Sequence, residues 1–575
     1  MKRNRILYAL TAAACIAAML GACGKKDKSA AEDSLLVYVP VDTPYVIANT
    51  EPLPKDVVER MSPAVTEAIE AYRSVMREVI TVAAEKDGDV EKKEILERAS
   101  SVVDQLFELF TPEGMEAAGI TRESAVAVYG NGLLPVIRIE VTSRDAFDAA
   151  VGRIEESAGA TMKVATVDGS PYRYADIESV RLLLGVFEGH AVFTVVPTAF
   201  DDEQLKRAIG LTLPDENIAT AGTLQAIADD NDFLPHYLGF ISLDRIASAF
   251  LDPPTGMNAE LLALGDYDAS DVSDVCRGEI RDLVQIAPRM IFGYESMSTD
   301  KIESRAIMEL REDIAADLKL LPAAVPGLGK DLGGLMSFGF SLNPKAARDF
   351  YEARLDAIEA DPFECEYFQD IQAGVAKGRA ALQQPVPPLV YDFRGINVIV
   401  DDIDEFDLAS KQPPTNAEAT ILLAMDNAPA LLQMGQMFVP ELAAMQIEAN
   451  GKPVKVETAR LHGIVDNVFA AMSDDAISVS VGPNAESRAA ELLNSSSDGL
   501  SPFLSMTLDV GRYYQMIAEL MILETGDEKA DMPESLREGL RDSLLAFGEL
   551  YDRMILDVEF TDRGVEFYTK MALDD

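Results

Sequence analysis

The hydrophobic pattern opens at Leu35, where LLVYVPVDTPYVIANT sets two short apolar runs around Pro40 and Asp42-Thr43-Pro44 and predicts two strands joined by a turn. Met61, Val65, Ile69, Tyr72, Met76 and Val79 then recur at three or four residues, the spacing of one face of a long helix. Asp87-Gly88-Asp89 interrupts that pattern. A second helix is expected from about Val90 to Phe110, with Ile95, Val102, Leu106 and Leu109 on its buried side. The two helices make a hairpin inserted after the opening strands. Strand-like runs follow at 125–129, 136–141, 163–167, 172–175, 180–186 and 191–196, with helices starting near Ser143 and Asp201. The class this implies is α+β with mostly antiparallel sheet.

The same pattern recurs along the chain. CRGEIRDLVQIAPRMI, from Cys276 to Ile291, lies without gaps over LRDSLLAFGELYDRMI, from Leu540 to Ile555, at an offset of 264. FISLDRIASAF around Asp244 matches SMTLDVGRYYQM around Asp509 at an offset of 265, and FTVVP ending at Pro197 matches VSVGP ending at Pro483 at an offset of 286. The difference leaves about 21 extra residues in the first copy, near Gly210 to Asp232, expected to be a surface-loop insertion. TPYVIANTEPLPKDVVERM and LMSFGFSLNPKAARDFYEA add a shared order of strand, proline and helix opening. We therefore expect two tandem related modules, each with a mostly antiparallel sheet, packed helices and a helical hairpin. Their bounds are 35–313 and 332–575, joined by a linker at 314–331 rich in Pro and Gly.

The first residues follow another logic. Lys2, Arg3 and Arg5 precede an apolar run from Ile6 to Leu20, which ends in Leu20-Gly21-Ala22-Cys23. The run is short for a permanent span, which needs roughly 20 apolar residues. This stretch resembles the signal peptide and lipobox of bacterial lipoproteins. The resemblance implies a signal at 1–22, acylation of Cys23 and a tether at 23–34. Gly24, where an Asp would favour retention in the inner membrane, implies the inner leaflet of the outer membrane, facing the periplasm. The residues alone also admit an ordinary cleaved signal with Cys23 incidental, or an uncleaved anchor. VPVDTPYVIANTEPLP also resembles the start of the folded part in uncharacterised bacterial envelope proteins, a likeness that implies no activity.

Charge narrows the partners. The chain carries 97 Asp plus Glu against 50 Lys plus Arg, a net charge of -47, and losing residues 1–22 removes three more basic groups. Such a field repels nucleic acid and anionic headgroups, so no nucleic-acid partner is expected. The expected partners are the membrane, through the lipid anchor, and an envelope protein or hydrophobic ligand. With 48% hydrophobic residues the acidity belongs to a solvated surface over large cores and does not signal disorder.

Candidate chemistry is sparse. Of four cysteines, Cys15 leaves with the signal and Cys23 is the lipidation site, so Cys276 and Cys365 remain, either as a disulfide joining the two modules or as buried thiols. Neither has a second Cys or a His at metal-ligand spacing. His190, His236 and His462 form no zinc pair, and His190 and His236 fall where turn or surface positions are expected. Gly339-Phe340-Ser341-Leu342-Asn343 misses the nucleophile elbow at its last residue. Ser298-Thr299-Asp300-Lys301 satisfies S-x-x-K without the companion elements, and sits at an expected strand-end turn. The glycine-rich stretch 327–334 lacks the phosphate-loop order, and the acidic runs 266–274 and 401–407 do not complete a calcium loop. Asp244 and Asp509 are expected to cap helices. No cofactor, metal site or catalytic residue is expected. The reading is a non-catalytic envelope lipoprotein acting as a binding or scaffold module, with a carrier or chaperone for a hydrophobic ligand and an envelope hydrolase as alternatives. The 22 Met residues could line a carrier's cavity or simply fill cores.

Overall fold

The structure, a computed structural model, describes residues 34–49, 51–86, 90–403, 417–439, 441–456, 467–495, 499–523 and 534–573. The signal sequence, Cys23, most of the tether and His462 lie outside them. The chain is α+β, and it divides into two compact units: residues 1–304 with 531–550, and 305–530 with 551–575.

In the first unit the strands are β1 (Tyr45–Ala48), β2 (Val126–Asn131), β3 (Leu134–Glu140), β4 (Lys163–Val167), β5 (Ser170–Ile177), β6 (Val180–Phe187), β7 (His190–Pro197), β8 (Leu238–Ser242) and β9 (Arg289–Met297). They pair antiparallel throughout, in the order β4-β5-β6-β7-β3-β2-β1-β8-β9. One face is the core: Ile291, Phe240, Val46, Tyr129, Val136, Thr194 and Leu183 lie in register across seven strands, each at most 2% exposed. β10 (Lys301–Glu309) follows a turn and crosses the division between the units.

The expected helical hairpin is present as Lys55–Lys86 and Val90–Glu108. Arg73 ties its two arms together, with Nε 3.0 Å from Asp104. The long arm also packs against the helix Glu534–Gly548, where Gly539 lies beside Val75 and Ser535 donates to Glu78. Two details differ from the sequence expectation. Leu35–Tyr38 is a 3-10 turn capped by Ser34, because Leu35 and Leu36 are both buried, which the alternation of a half-buried strand does not permit. The stretch 210–232 holds the helices Ile218–Ala221 and Thr223–Asn231, and the buried Ile218, Leu224 and Ile227 make it part of the core in place of a surface loop.

In the second unit the strands are β11 (Met336–Ser341), β12 (Phe393–Ile403), β13 (Ala417–Met425), β14 (Val454–Lys455), β15 (Val468–Met472), β16 (Ala476–Val481), β17 (Leu504–Asp509), β18 (Arg553–Thr561) and β19 (Gly564–Ala572). Their order is β14-β15-β16-β13-β12-β11-β17-β18-β19, again antiparallel. The helix Ala485–Asn494 covers one face, placing Ala489, Leu492 and Leu493 against Ile399, Leu422 and Ala471. Val325 and Leu328, from the segment read as a linker, are buried in this same cluster. Gly327 and Gly329 take φ of 73° and 80° there, a left-handed backbone that glycine adopts without strain.

Candidate functional site

The residues singled out for chemistry are dispersed and already engaged. Ser298 caps the turn between β9 and β10, accepting from the amides of Asp300 and Lys301, while the Lys301 ammonium faces Glu303 at 3.0 Å. Asp268 caps a short 3-10 turn through the Ser270 amide. Asp401 and Asp402 are paired with Arg488 and Arg512. Asp509 caps its helix by accepting from the Arg512 amide at 3.0 Å. Asp244 does not cap, because Ser242 accepts from the Arg245 amide and takes that role, leaving Asp244 to accept from Gln285. Cys276 and Cys365 are 4% and 1% exposed, and each is disulfide-bonded. Among the described residues no group of three His, Cys, Asp or Glu could hold a metal ion, and no helix is long and apolar enough to cross a membrane.

His236 donates from Nδ1 to the Glu51 carbonyl, 3.2 Å away. His190, expected at a turn or on the surface, begins β7, and its ring meets the edge of Tyr38 with centroids 5.4 Å apart. The fully buried Arg138 guanidinium lies over the Tyr38 ring, 3.7 Å from its centroid, and donates to the Ile209 carbonyl at 2.6 Å. Burial, and then the Arg138 charge, push the His190 pKa down to about 4. The histidine is therefore neutral at physiological pH. An open depression of about 470 Å³ in the second unit is lined by Arg348, Arg379 and Tyr391. Its arginines are committed to Leu382, Glu359 and Asp356, which leaves no convergent set of reactive groups.

The unusual feature is how the second unit's sheet is turned. An antiparallel sheet with one solvated face ordinarily points apolar residues inward and polar residues outward. Here Ser341, Asn397, Thr420, Ser478, Ser480, Ser505 and Thr507 are all on the buried side, none more than 3% exposed. Most bond internally: Thr420 with Ser480 at 2.8 Å, Ser337 with Thr507 at 2.7 Å, Ser341 to the Pro502 carbonyl at 2.7 Å. The other face carries the row Val479, Ile421, Val398, Phe338 and Met506, in register across β16, β13, β12, β11 and β17. Phe338 is 43%, Ile421 53% and Val479 38% exposed, although all three sit on strands with neighbours on both sides.

Flanking rows, one from Ile477 to Leu504 and one from Val481 to Leu508, are apolar at every position. Leu431 and Leu432 of the helix Ala428–Phe438 roof the first of these, beside Leu423 and Ile477. The same helix ends in Met437 and Phe438, 74% and 76% exposed. The alternation of β16 is readable in AISVSV, whereas β13 alternates only over AEAT and runs apolar from Ile421 to Met425. Periodicity separates two faces, but it does not say which of them the helices cover, so the open face was missed. No family model, curated protein or solved structure matches the chain.

Proposed function

We propose that this protein is a lipid-anchored, non-catalytic binding module of the cell envelope, facing the periplasm, and that the open face of the second sheet holds an apolar ligand. The observation that carries the reading is the uncovered row through Ile421 and Phe338. Burying a Val, Ile or Phe side chain stabilises by roughly 1.5–3 kcal/mol, so leaving three of them substantially in water on central strands is a standing cost that a ligand would remove. Larger contiguous apolar patches on soluble domains commonly mark interaction sites. The dispersed and neutralised polar groups support a non-catalytic role.

We read the two units as copies of one module. Support comes from their strand orders, which coincide when β1, β2 and β3 are set against β11, β12 and β13, β5, β6 and β7 against β14, β15 and β16, and β8 and β9 against β17 and β18. The repeated sequences fall on matching elements: the helix Asp274–Val284 before β9, and Glu534–Gly548 before β18. The first unit has its own half-buried apolar row, Ile47, Val128, Ile137, Phe193 and Leu184, on the face opposite its core.

The test is a titration of residues 24–575, without signal or lipid, with an environment-sensitive apolar fluorophore. Saturable binding is expected, and Ile421→Asp should abolish it without unfolding the protein, because the side chain is already half in water. Leu213→Asp, at a 50% exposed position in the other unit, should change nothing. Binding that survives Ile421→Asp would refute the assignment.

A further inference from the structure

The open face also restricts what kind of apolar ligand it can take, an inference that rests on the binding role proposed above. Fifteen side chains in three rows over β16, β13, β12, β11 and β17 include no hydrogen-bonding group. The backbone beneath them is equally closed, because the interior strands spend their amides and carbonyls on both neighbours. An extended peptide laid on this surface would bury amides with nothing to bond, at a cost of roughly 1–3 kcal/mol or more for each stranded group. Protein interfaces ordinarily supply about one hydrogen bond per 100–200 Å², and this face supplies none. A hydrocarbon chain brings no polar group to satisfy and gains about 0.8 kcal/mol for each buried CH₂.

Dimensions and charge agree with a chain as the occupant. Five strands at a spacing of about 4.8 Å span about 19 Å along the row from Val479 to Met506, the scale of an extended long-chain acyl group. Beside the face, the arginines at the two ends of β12's neighbourhood are spoken for: Arg512 pairs with Asp402 at 2.9 Å, and Arg394 with Asp426. With 97 acidic against 50 basic residues, the surrounding field is negative and disfavours an anionic headgroup. We propose that the open face of the second sheet binds the acyl chain of a lipid whose headgroup is neutral or zwitterionic. A second copy of this chain is a poor occupant, because it brings the same negative charge.

Displacement of the fluorophore from residues 24–575 tests this, using four probes below their micellar concentrations. These are a monoacylglycerol, a zwitterionic lysophosphatidylethanolamine, an anionic lysophosphatidylglycerol of the same chain length, and an uncharged apolar peptide. The first two should displace the dye from the wild type. The anionic lipid should do so roughly tenfold more weakly at low salt, with the gap narrowing as salt screens the field. The peptide should not compete. Displacement by the peptide as readily as by the acyl compounds would overturn the hydrocarbon assignment, and equal affinity for the anionic lipid would overturn the headgroup assignment. Dye bound at Ile421 that no acyl compound displaces would defeat this inference while leaving apolar binding intact. A protein that binds no dye at all would defeat the binding role itself.

Discussion

Asp557 and Glu566 stand on adjacent strands of the second sheet's buried side, and their surroundings drive their proton affinities in opposite directions. Burial works to raise the Glu566 pKa, but hydrogen bonds from Thr561 at 2.7 Å, Tyr568 at 2.8 Å and Arg305 at 3.0 Å outweigh it and hold the carboxyl below its ordinary value. Asp557 has Ser505 as a donor and Lys570 as a cation, too little to offset burial, and one carboxylate oxygen has no partner. Its pKa is raised, and so is that of Glu559, by burial and then by the charges of Asp557 and Glu566. A carboxyl whose pKa is raised on folding favours the native state below its unfolded pKa of about 3.9. That contribution is lost as pH rises through the folded value. Asp557→Asn should therefore melt higher than the wild type at pH 7, by on the order of 1 kcal/mol of stability. The advantage should vanish near pH 4. Thermal melts of both proteins from pH 4 to 8 check this, and an equal or lower melting temperature for the variant at pH 7 would contradict it.

At the scale of elements, the helix Glu534–Gly548 carries Gly539 in its interior, facing Val75 of the helix Lys55–Lys86. A Cβ at that position would meet Val75 Cγ2 at 3.6 Å, an ordinary contact, and Gly costs a helix interior about 0.8–1.0 kcal/mol relative to Ala. Gly539→Ala is expected to stabilise the first unit by about that amount, measured by chemical denaturation; a destabilised variant would mean that the two helices pack more closely than this. The elements themselves were largely legible. Ser143 caps its helix where N-cap chemistry placed one, Asp201 caps the helix expected to start near it, and β4 spans Lys163–Val167, the run read as a strand. Local signals failed where a tertiary choice decides the outcome. Ser242 and Asp244 are both competent caps, and only the path of β8 into its helix selects the serine. Thr420 and Ile421 are adjacent residues of one strand, and the position of the helix Ala485–Asn494 decides that the hydroxyl is buried and the isoleucine exposed.

For the whole molecule, the net charge of -47 bears on how the proposed envelope protein would be held. A body this acidic is repelled by anionic headgroups, and the repulsion reaches about 8 Å from the surface at physiological ionic strength. Among the described residues no helix can span the bilayer. Flat adsorption is a poor source of attachment, and the acyl chains proposed on Cys23 would supply one that charge does not oppose. One chain gives only marginal binding, whereas several give lasting attachment. Cys23→Ser should accordingly shift the protein from the membrane pellet to the soluble periplasmic fraction, while wild type resists extraction by high salt and is released by detergent. Raising the salt should not loosen the wild type, since hydrocarbon burial is not screened. A Cys23→Ser protein that still sediments with membranes would show that the anchor lies elsewhere. Release of the wild type by salt alone would show that charge, not hydrocarbon, holds it.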